Sequence, residues 1–243
     1  MQYWFDPDRL LRAGVALHER YVAAEPFPHV VLEDFLPPER VDAILEAFPD
    51  PDSPYWSTKD QPDSKKQDTT PDYVAELKMP PVIREAMWQF NSSLFLFFLH
   101  HLTGIRGLTG DPWLYGGGIH QILPGGLLKI HADFNIHEFT GLLRRINVLV
   151  YLNKDWQDEW GGHLELWDAD MSRCVRRVAP TAGTCAIFNT SSTSYHGHPD
   201  PLRCPPGHTR KSLAFYYYTI DPAFDPRGGR HNTLWKKRPG EEF

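Results

Sequence analysis

The chain has 243 residues, enough for one large domain or two small ones. Apolar residues make up 41 % and charged residues 23 %, which excludes a disordered chain. With 25 Lys and Arg against 31 Asp and Glu the formal charge is −6, which argues against a general nucleic-acid binder, and no nucleic-acid partner is expected. The longest purely apolar run, 94–99, is far short of the ~20 residues that span a bilayer, so no membrane partner is expected either. The opening MQYWFDPDRL lacks a basic region followed by an apolar stretch, so no secretory signal is expected. Cys174, Cys185 and Cys204 show no C-x-x-C spacing, which excludes a disulfide framework and a cysteine zinc finger. A reduced, cytoplasmic protein is expected. Twelve histidines invite a search for metal or proton chemistry.

The first hundred residues read as helix-rich. A proline opens 7–24, and Leu10, Leu11, Val15, Leu17, Tyr21 and Val22 recur at helical spacing. The β-branched segment 27–36 predicts a strand, and 37–48, with Val41, Ile44, Leu45 and Phe48 on one face, a short helix. Residues 49–72 hold five Pro and six Asp and few apolar groups, which predicts a long surface loop, either a lid over a substrate entrance or a solvated connector. Helix returns over 80–104, with a possible break at Asn91-Ser92-Ser93 and a stop at Gly104; its aromatic stripe predicts a face buried against a sheet. From about 113 onward short segments rich in Val, Ile, Leu, Phe and Tyr alternate with Gly, Pro, Asn and Asp. This spacing predicts an all-β sandwich or barrel. The chain thus reads as a single domain: a helix-rich support over 1–112, a β core over 113–222, and a solvated tail over 223–243.

The chemistry centres on HADFN, at the end of the strand GLLKIHAD. Residues i and i+2 of a strand share a face, so His131 and Asp133 present an imidazole and a carboxylate side by side. A third metal ligand is available at His196 in STSYHGHP, with His198 as its competitor on the same face. Two imidazoles and one carboxylate leave open positions on a six-coordinate metal, the facial arrangement of non-haem Fe(II) oxygenases. Fourteen residues after His196, Arg210 opens the strand RKSLAFYYYT and shares a face with Ser212. A guanidinium beside a hydroxyl suits a carboxylate. Parity also places Asn147, Leu149 and Tyr151 on one face of RRINVLVYLN, and sets Arg210, Ser212, Ala214, Tyr216 and Tyr218 against Leu213, Phe215 and Tyr217 on the last strand. His120 and Asn135 flank the H-x-D segment and are candidates for substrate contact. His137 and His163 read as surface or packed histidines.

The order H-x-D, R-x-N-V-L-V-Y-L-N-K-D-W, G-G-H-L-E-L, P-x-x-G, S-x-H-G, R-x-S resembles the 2-oxoglutarate- and Fe(II)-dependent dioxygenases of the prolyl-4-hydroxylase-like group. The resemblance covers roughly 115–220, and weakly the segment PFPHVVLEDFLPPE. It implies a mainly β fold with a double-stranded β-helix (jelly-roll) core and packed N-terminal helices. His131, Asp133 and His196 would be the iron ligands, His196 rather than His198 because the pattern places the ligand directly before Gly. Arg210 would bind the distal carboxylate of 2-oxoglutarate, assisted by Ser212 and by Tyr151, while Leu149 would line the cosubstrate pocket. Relatives with a peptidyl substrate often carry a tyrosine where this chain has Leu123; its hydrogen bond to the cosubstrate is then either missing or supplied elsewhere, with Gln121 and Lys129 as candidates.

What the resemblance implies is consumption of O2 and decarboxylation of 2-oxoglutarate to succinate, coupled to hydroxylation of an unactivated C–H bond. Asp133 favours hydroxylation over halogenation, since related halogenases lack this carboxylate. The expected substrate is a prolyl or other amino-acid residue of a peptide or protein. A free amino acid, a small natural product or a glycan precursor is the alternative. The rival of a different class is a non-catalytic, cupin-like metal-binding module, which has no need of a carboxylate clamp such as Arg210. Oligomeric state is left open.

Overall fold

The computed structural model describes residues 2–69 and 75–220. The tail expected over 223–243 lies outside the described residues. Five helices and eleven strands are found among those described. Helix α1 spans Pro7–Val22; its first turn is capped by Asp6, whose carboxylate accepts from the Arg9 amide at 2.7 Å. Strand β1 (His29–Leu32) and helix α2 (Pro38–Glu46) follow, both shorter than the expected 27–36 and 37–48. After a hairpin, β2 (Trp56–Gln61) and β3 (Ser64–Thr69), come α3 (Ala75–Lys78), α4 (Pro81–Phe90) and α5 (Ser93–Thr103). The expected break in 80–104 is a true boundary. Ser92 Oγ accepts from the Phe95 amide at 3.3 Å and starts α5, and Gly104, at φ 72°, ends it.

The remaining strands are β4 (Gly118–Ile122), β5 (Leu127–His131), β6 (Leu143–Tyr151), β7 (Leu164–Trp167), β8 (Cys174–Val178), β9 (Cys185–Asn189), β10 (His196–His198) and β11 (Arg210–Thr219). They pair antiparallel in the order β1-β9-β6-β11-β4-β3-β5-β10-β7-β8, with β2 on β3. The path folds into a nearly closed jelly-roll barrel, with β3 joining its two layers. Gln67 and Asp68 pair with Gln121 and His120 of β4, while Ser64 and Lys65 pair with Leu128 and Leu127 of β5.

This hairpin corrects the loop expected over 49–72; residues 70–72 lie outside the described ones. The segment covers the barrel cavity, where a lid would lie, but as a paired wall. The strands are WSTKDQ and SKKQDT, which carry no apolar alternation. They are held by polar groups instead. Gln121 Nε2 donates to Gln67 Oε1 at 2.9 Å, Gln67 Nε2 to the Pro51 carbonyl at 2.8 Å, and the Ile119 amide to Thr69 Oγ1 at 3.0 Å. Buried polar groups are tolerated when satisfied in this way.

The main core lies between the helices and the outer face of β11, β6 and β9. Leu213, Phe215 and Tyr217 point into it, as strand parity predicts. Phe215 stacks on Phe90 at 4.4 Å between centroids, and the Tyr217 hydroxyl donates to the Phe90 carbonyl at 2.8 Å. Helix α1 approaches α5 closely at Gly14, where a Cβ would stand 2.9 Å from the Phe98 carbonyl oxygen. A second cluster fills the barrel interior with Tyr151, Leu164, Leu166, Val178, Ala186 and Phe188. The opposite face of β11, from Arg210 to Tyr216, is thereby free to line a cavity.

Candidate active site

The cavity, about 250 Å³, opens inside the barrel and is lined from both layers and from the hairpin. His131 ends β5 and His196 begins β10; the two are cross-strand partners, so pairing brings their rings to 4.7 Å between centroids. Gly197 next to it permits this pairing, because a Cβ there would stand 2.7 Å from the carbonyl oxygens of Leu128 and Lys129. Asp133 Oδ1 lies 3.5 Å from His131 Nε2, and Asp133 Oδ2 3.3 Å from His196 Nε2. Among the described residues these three form the one His/Cys/Asp/Glu group able to hold a metal ion, with one ligand atom from each within 4.8 Å of the others.

Both rings are set for that role. His131 Nδ1 lies 2.9 Å from the Lys129 carbonyl and His196 Nδ1 2.9 Å from that of Ser194. A carbonyl only accepts, so Nδ1 carries the proton in each ring and Nε2 turns its lone pair toward Asp133. His198, the competitor, also lines the cavity, but both its ring nitrogens are buried without a hydrogen-bond partner. Burial and the neighbouring Arg210 hold it neutral, far below the ordinary histidine range.

Sequence reasoning missed the residue that fixes Asp133. Asn147 Nδ2 donates to Asp133 Oδ2 at 2.8 Å, and the Arg144 guanidinium reaches the same oxygen at 3.1 Å. Arg144 also donates twice to Asn147 Oδ1, at 3.0 and 2.7 Å. Its guanidinium lies 3.5 Å from the Tyr216 ring centroid and 4.6 Å from that of Phe134. Burial alone would raise the Asp133 carboxyl; Arg144, His196 and His131 outweigh it and hold the group well below the usual carboxylate range. Simple alternation puts Arg145, not Arg144, on the Asn147 face. The register, however, slips between Tyr217 and Tyr218, whose partners are Ile146 and Arg144. The extra residue, Arg145, bulges out to meet Thr219 Oγ1 at 3.2 Å, and Arg144 turns to the Asn147 side.

Arg210, Ser212 and Leu149 line the same cavity. Arg210 is buried; its Nε donates to the Gly162 carbonyl at 2.7 Å, and its guanidinium lies 4.9 Å from the Tyr151 ring centroid. Gly162, at φ 72°, is required there, since a Cβ would stand 2.9 Å from Arg210 Cδ. Among the described residues Arg210 has no carboxylate partner, and the buried Tyr151 hydroxyl makes no hydrogen bond. A buried guanidinium and an orphaned phenol side by side fit an incoming carboxylate.

Of the two substrate candidates, His120 lines the cavity, with Nε2 3.1 Å from the Gly116 carbonyl, and is pushed down to about 3, first by burial and then by Lys66. Asn135 is exposed outside it, and its carbonyl accepts from the Arg144 amide at 2.7 Å. The two groups expected to replace a tyrosine at Leu123 also point elsewhere. Gln121 is engaged with Gln67 and Thr209, and Lys129 donates to the Pro199 carbonyl at 3.2 Å. His137 and His163 are packed histidines, beside Asp111 at 3.3 Å and Asp158 at 2.8 Å.

Residues 117–218 match the family model of the 2OG-Fe(II) oxygenase superfamily. No curated sequence matches the chain. Among solved structures, a Pseudomonas putida prolyl-4-hydroxylase is 19 % identical, with 86 % of this chain and 100 % of that one covered at a TM-score of 0.53. A Trichoplax adhaerens prolyl hydroxylase, in complex with a hypoxia-inducible-factor degradation-domain peptide, is 16 % identical over 87 % and 91 % of the two chains, at 0.58. HygX from Streptomyces hygroscopicus, with nickel, 2-oxoglutarate and hygromycin B bound, is 14 % identical over 79 % and 82 %, at 0.50. At these identities the structures show a shared fold. The family match adds the chemistry, because it spans every strand from the H-x-D segment to Arg210. Residues 117–218 thus match the 2OG-Fe(II) oxygenase superfamily and the fold is one shared with prolyl-4-hydroxylases, which together support a 2-oxoglutarate- and Fe(II)-dependent dioxygenase.

Proposed function

We propose that the protein is a hydroxylase of an amino-acid unit, a prolyl or other residue of a peptide or protein, with Fe(II) on His131, Asp133 and His196 and the distal carboxylate of 2-oxoglutarate on Arg210. The observation that carries the reading is the buried, carboxylate-free Arg210 on the wall of the cavity that also holds the triad, with the Tyr151 ring packed against its guanidinium. Iron and cosubstrate, when bound, supply the activation of O2 and the oxidising equivalent, 2-oxoglutarate leaving as succinate and CO2.

The chain's own residues bind, orient and shield. The Lys129 and Ser194 carbonyls hold the two imidazoles in one tautomer. Arg144 and Asn147 fix Asp133 and keep it anionic. The Gly162 carbonyl and the Tyr151 ring lock Arg210, so a carboxylate meets a pre-set fork. Ser212 supplies a hydroxyl to the same ligand, and Leu149 an apolar flank. His120 is the cavity residue read as touching substrate. The carboxylate at position 133 favours hydroxylation over halogenation. The reading takes the chain as one catalytic unit, with residues 1–112 as support. The free thiols of Cys174, Cys185 and Cys204 support a cytoplasmic location.

A second reading, hydroxylation of a free amino acid or other small molecule, is favoured by two lysines on the cavity wall, Lys59 and Lys66. The test of the function is succinate release from 2-oxoglutarate with Fe(II), followed by a peptide and metabolite screen for a mass gain of one oxygen atom. A protein that binds 2-oxoglutarate and releases succinate faster with one substrate class bears the reading out. A protein that binds no 2-oxoglutarate overturns it.

A further inference from the structure

The cavity holds more positive charge than the cosubstrate uses. Lys59 and Lys66 are cross-strand partners on the hairpin, and both line the cavity. Both ammonium groups converge on one carboxylate oxygen, Asp68 Oδ2, at 3.0 and 3.1 Å. The Lys66 side chain is only 12 % exposed, so its charge is largely removed from water. Asp133 is the one acidic residue among the described residues that line the cavity, and it is engaged by the triad and Arg144. His120, the cross-strand partner of Asp68, is held neutral by burial and adds no charge. The trio of Lys59, Lys66 and Asp68 therefore carries one net positive charge into a partly desolvated cavity, where a matching anion is strongly favoured.

This charge is separate from the cosubstrate clamp. Arg210 is tied to Gly162, whereas Lys66 is tied to Asp68 on a different strand. The sequence signal was present in SKKQ, but its place in a presumed loop hid it. We propose that Lys66, assisted by Lys59, binds a carboxylate of the substrate. Resting on the hydroxylase reading, this narrows the substrate to an amino-acid unit with a free carboxylate: a free amino acid, a C-terminal residue or an acidic side chain. A neutral internal prolyl residue is excluded as the sole recognised group.

The test uses the full chain loaded with Zn(II) and 2-oxoglutarate, which is inert to oxygen, and reads binding by ligand-observed NMR. The probes are free amino acids, N-acetyl amino acids, their neutral primary amides, and N-acetyl-aspartyl and N-acetyl-glutamyl amides, whose only carboxylate is on the side chain. The expected result is binding of at least one carboxylate series and not of the neutral amides. Lys66→Gln should weaken that binding by about ten- to a hundred-fold, the loss of one charged hydrogen bond, and Lys66→Arg should restore most of it. Affinity for 2-oxoglutarate should be unchanged in both variants. Equal binding of acids and amides, binding of neither, or unchanged acid binding in Lys66→Gln overturns the proposal. A parallel loss of 2-oxoglutarate affinity also overturns it, by placing Lys66 in the cosubstrate clamp. If the wild-type protein binds no 2-oxoglutarate, the hydroxylase reading itself fails, which is a separate outcome.

Discussion

Replacing Arg210 by Met should abolish tight 2-oxoglutarate binding and leave metal binding intact. One guanidinium nitrogen, Nε, is used by the Gly162 carbonyl at 2.7 Å, which leaves the two terminal nitrogens for a ligand. A hydrogen bond to a charged group contributes about 1.5–3 kcal/mol, and the paired fork adds direction to it. Methionine would leave a carboxylate buried beside the Tyr151 ring with no cation. The net loss should be about 2–4 kcal/mol, or roughly thirty- to several-hundred-fold in affinity. The protein itself should lose only about 1–3 kcal/mol of stability, because the Gly162 carbonyl loses its donor but among the described residues Arg210 has no carboxylate partner to strand. Titration calorimetry of Zn(II)-loaded protein with 2-oxoglutarate gives the affinity, and a separate Zn(II) titration gives the metal term. Unchanged 2-oxoglutarate affinity would refute the clamp assignment. An equal fall in both titrations would mean that the substitution damages the fold rather than the clamp.

Tyr151→Phe removes a buried hydroxyl that has no hydrogen bond, so thermal stability without ligand should hold or rise while 2-oxoglutarate affinity falls about five- to ten-fold; a destabilised variant with full affinity would contradict this. Arg144→Met strands the Asp133 carboxylate and should cost about 3–5 kcal/mol in chemical denaturation without metal, with a larger rescue by Zn(II) than the wild type shows; equal stability would deny the link. Asp68 is raised by burial but lowered more by the Lys66 and Lys59 ammonium groups, so its folded pKa lies below its unfolded one. Its contribution is therefore present above the unfolded value of about 3.9 and lost as pH falls through the folded value. Asp68→Asn should accordingly destabilise the protein at pH 7, with the gap closing on acidification below about 4; a gap independent of pH would show that the lysines do not stabilise the anion.

The grouping of the candidate ligands and clamp was legible because His131 ends β5 with Asp133 two residues beyond it, and Arg210 and Ser212 share a face of β11. His131 with Asp133 and Arg210 with Ser212 needed only the two-residue repeat, and the register of β11 against β6 delivers Tyr151 opposite Ser212. The apolar face of β11 was legible for the same reason. Arg144 was not, because the bulge at Arg145 inverts the parity, and no glycine or proline in LLRRINV marks it. The hairpin was hidden by its own chemistry. Strands that face a polar cavity and are held by Gln67, Asp68 and Thr69 lack the apolar alternation by which strands are read, and the prolines around them resemble a loop. His198 was weighed as a ligand on sequence alone. The pairing of His196 with His131 brings His196 to Asp133, while the register shift between His196 and His198 sets His198 opposite Leu128.

The central claim is tested most directly by a crystal structure of the protein with Ni(II) and 2-oxoglutarate. The account predicts one metal ion about 2.0–2.2 Å from His131 Nε2, His196 Nε2 and one oxygen of Asp133, with the distal carboxylate of 2-oxoglutarate on the Arg210 guanidinium and the Tyr151 hydroxyl. A metal held by His198 in place of His196, or a cosubstrate carboxylate on Lys66 with Arg210 unengaged, would contradict it.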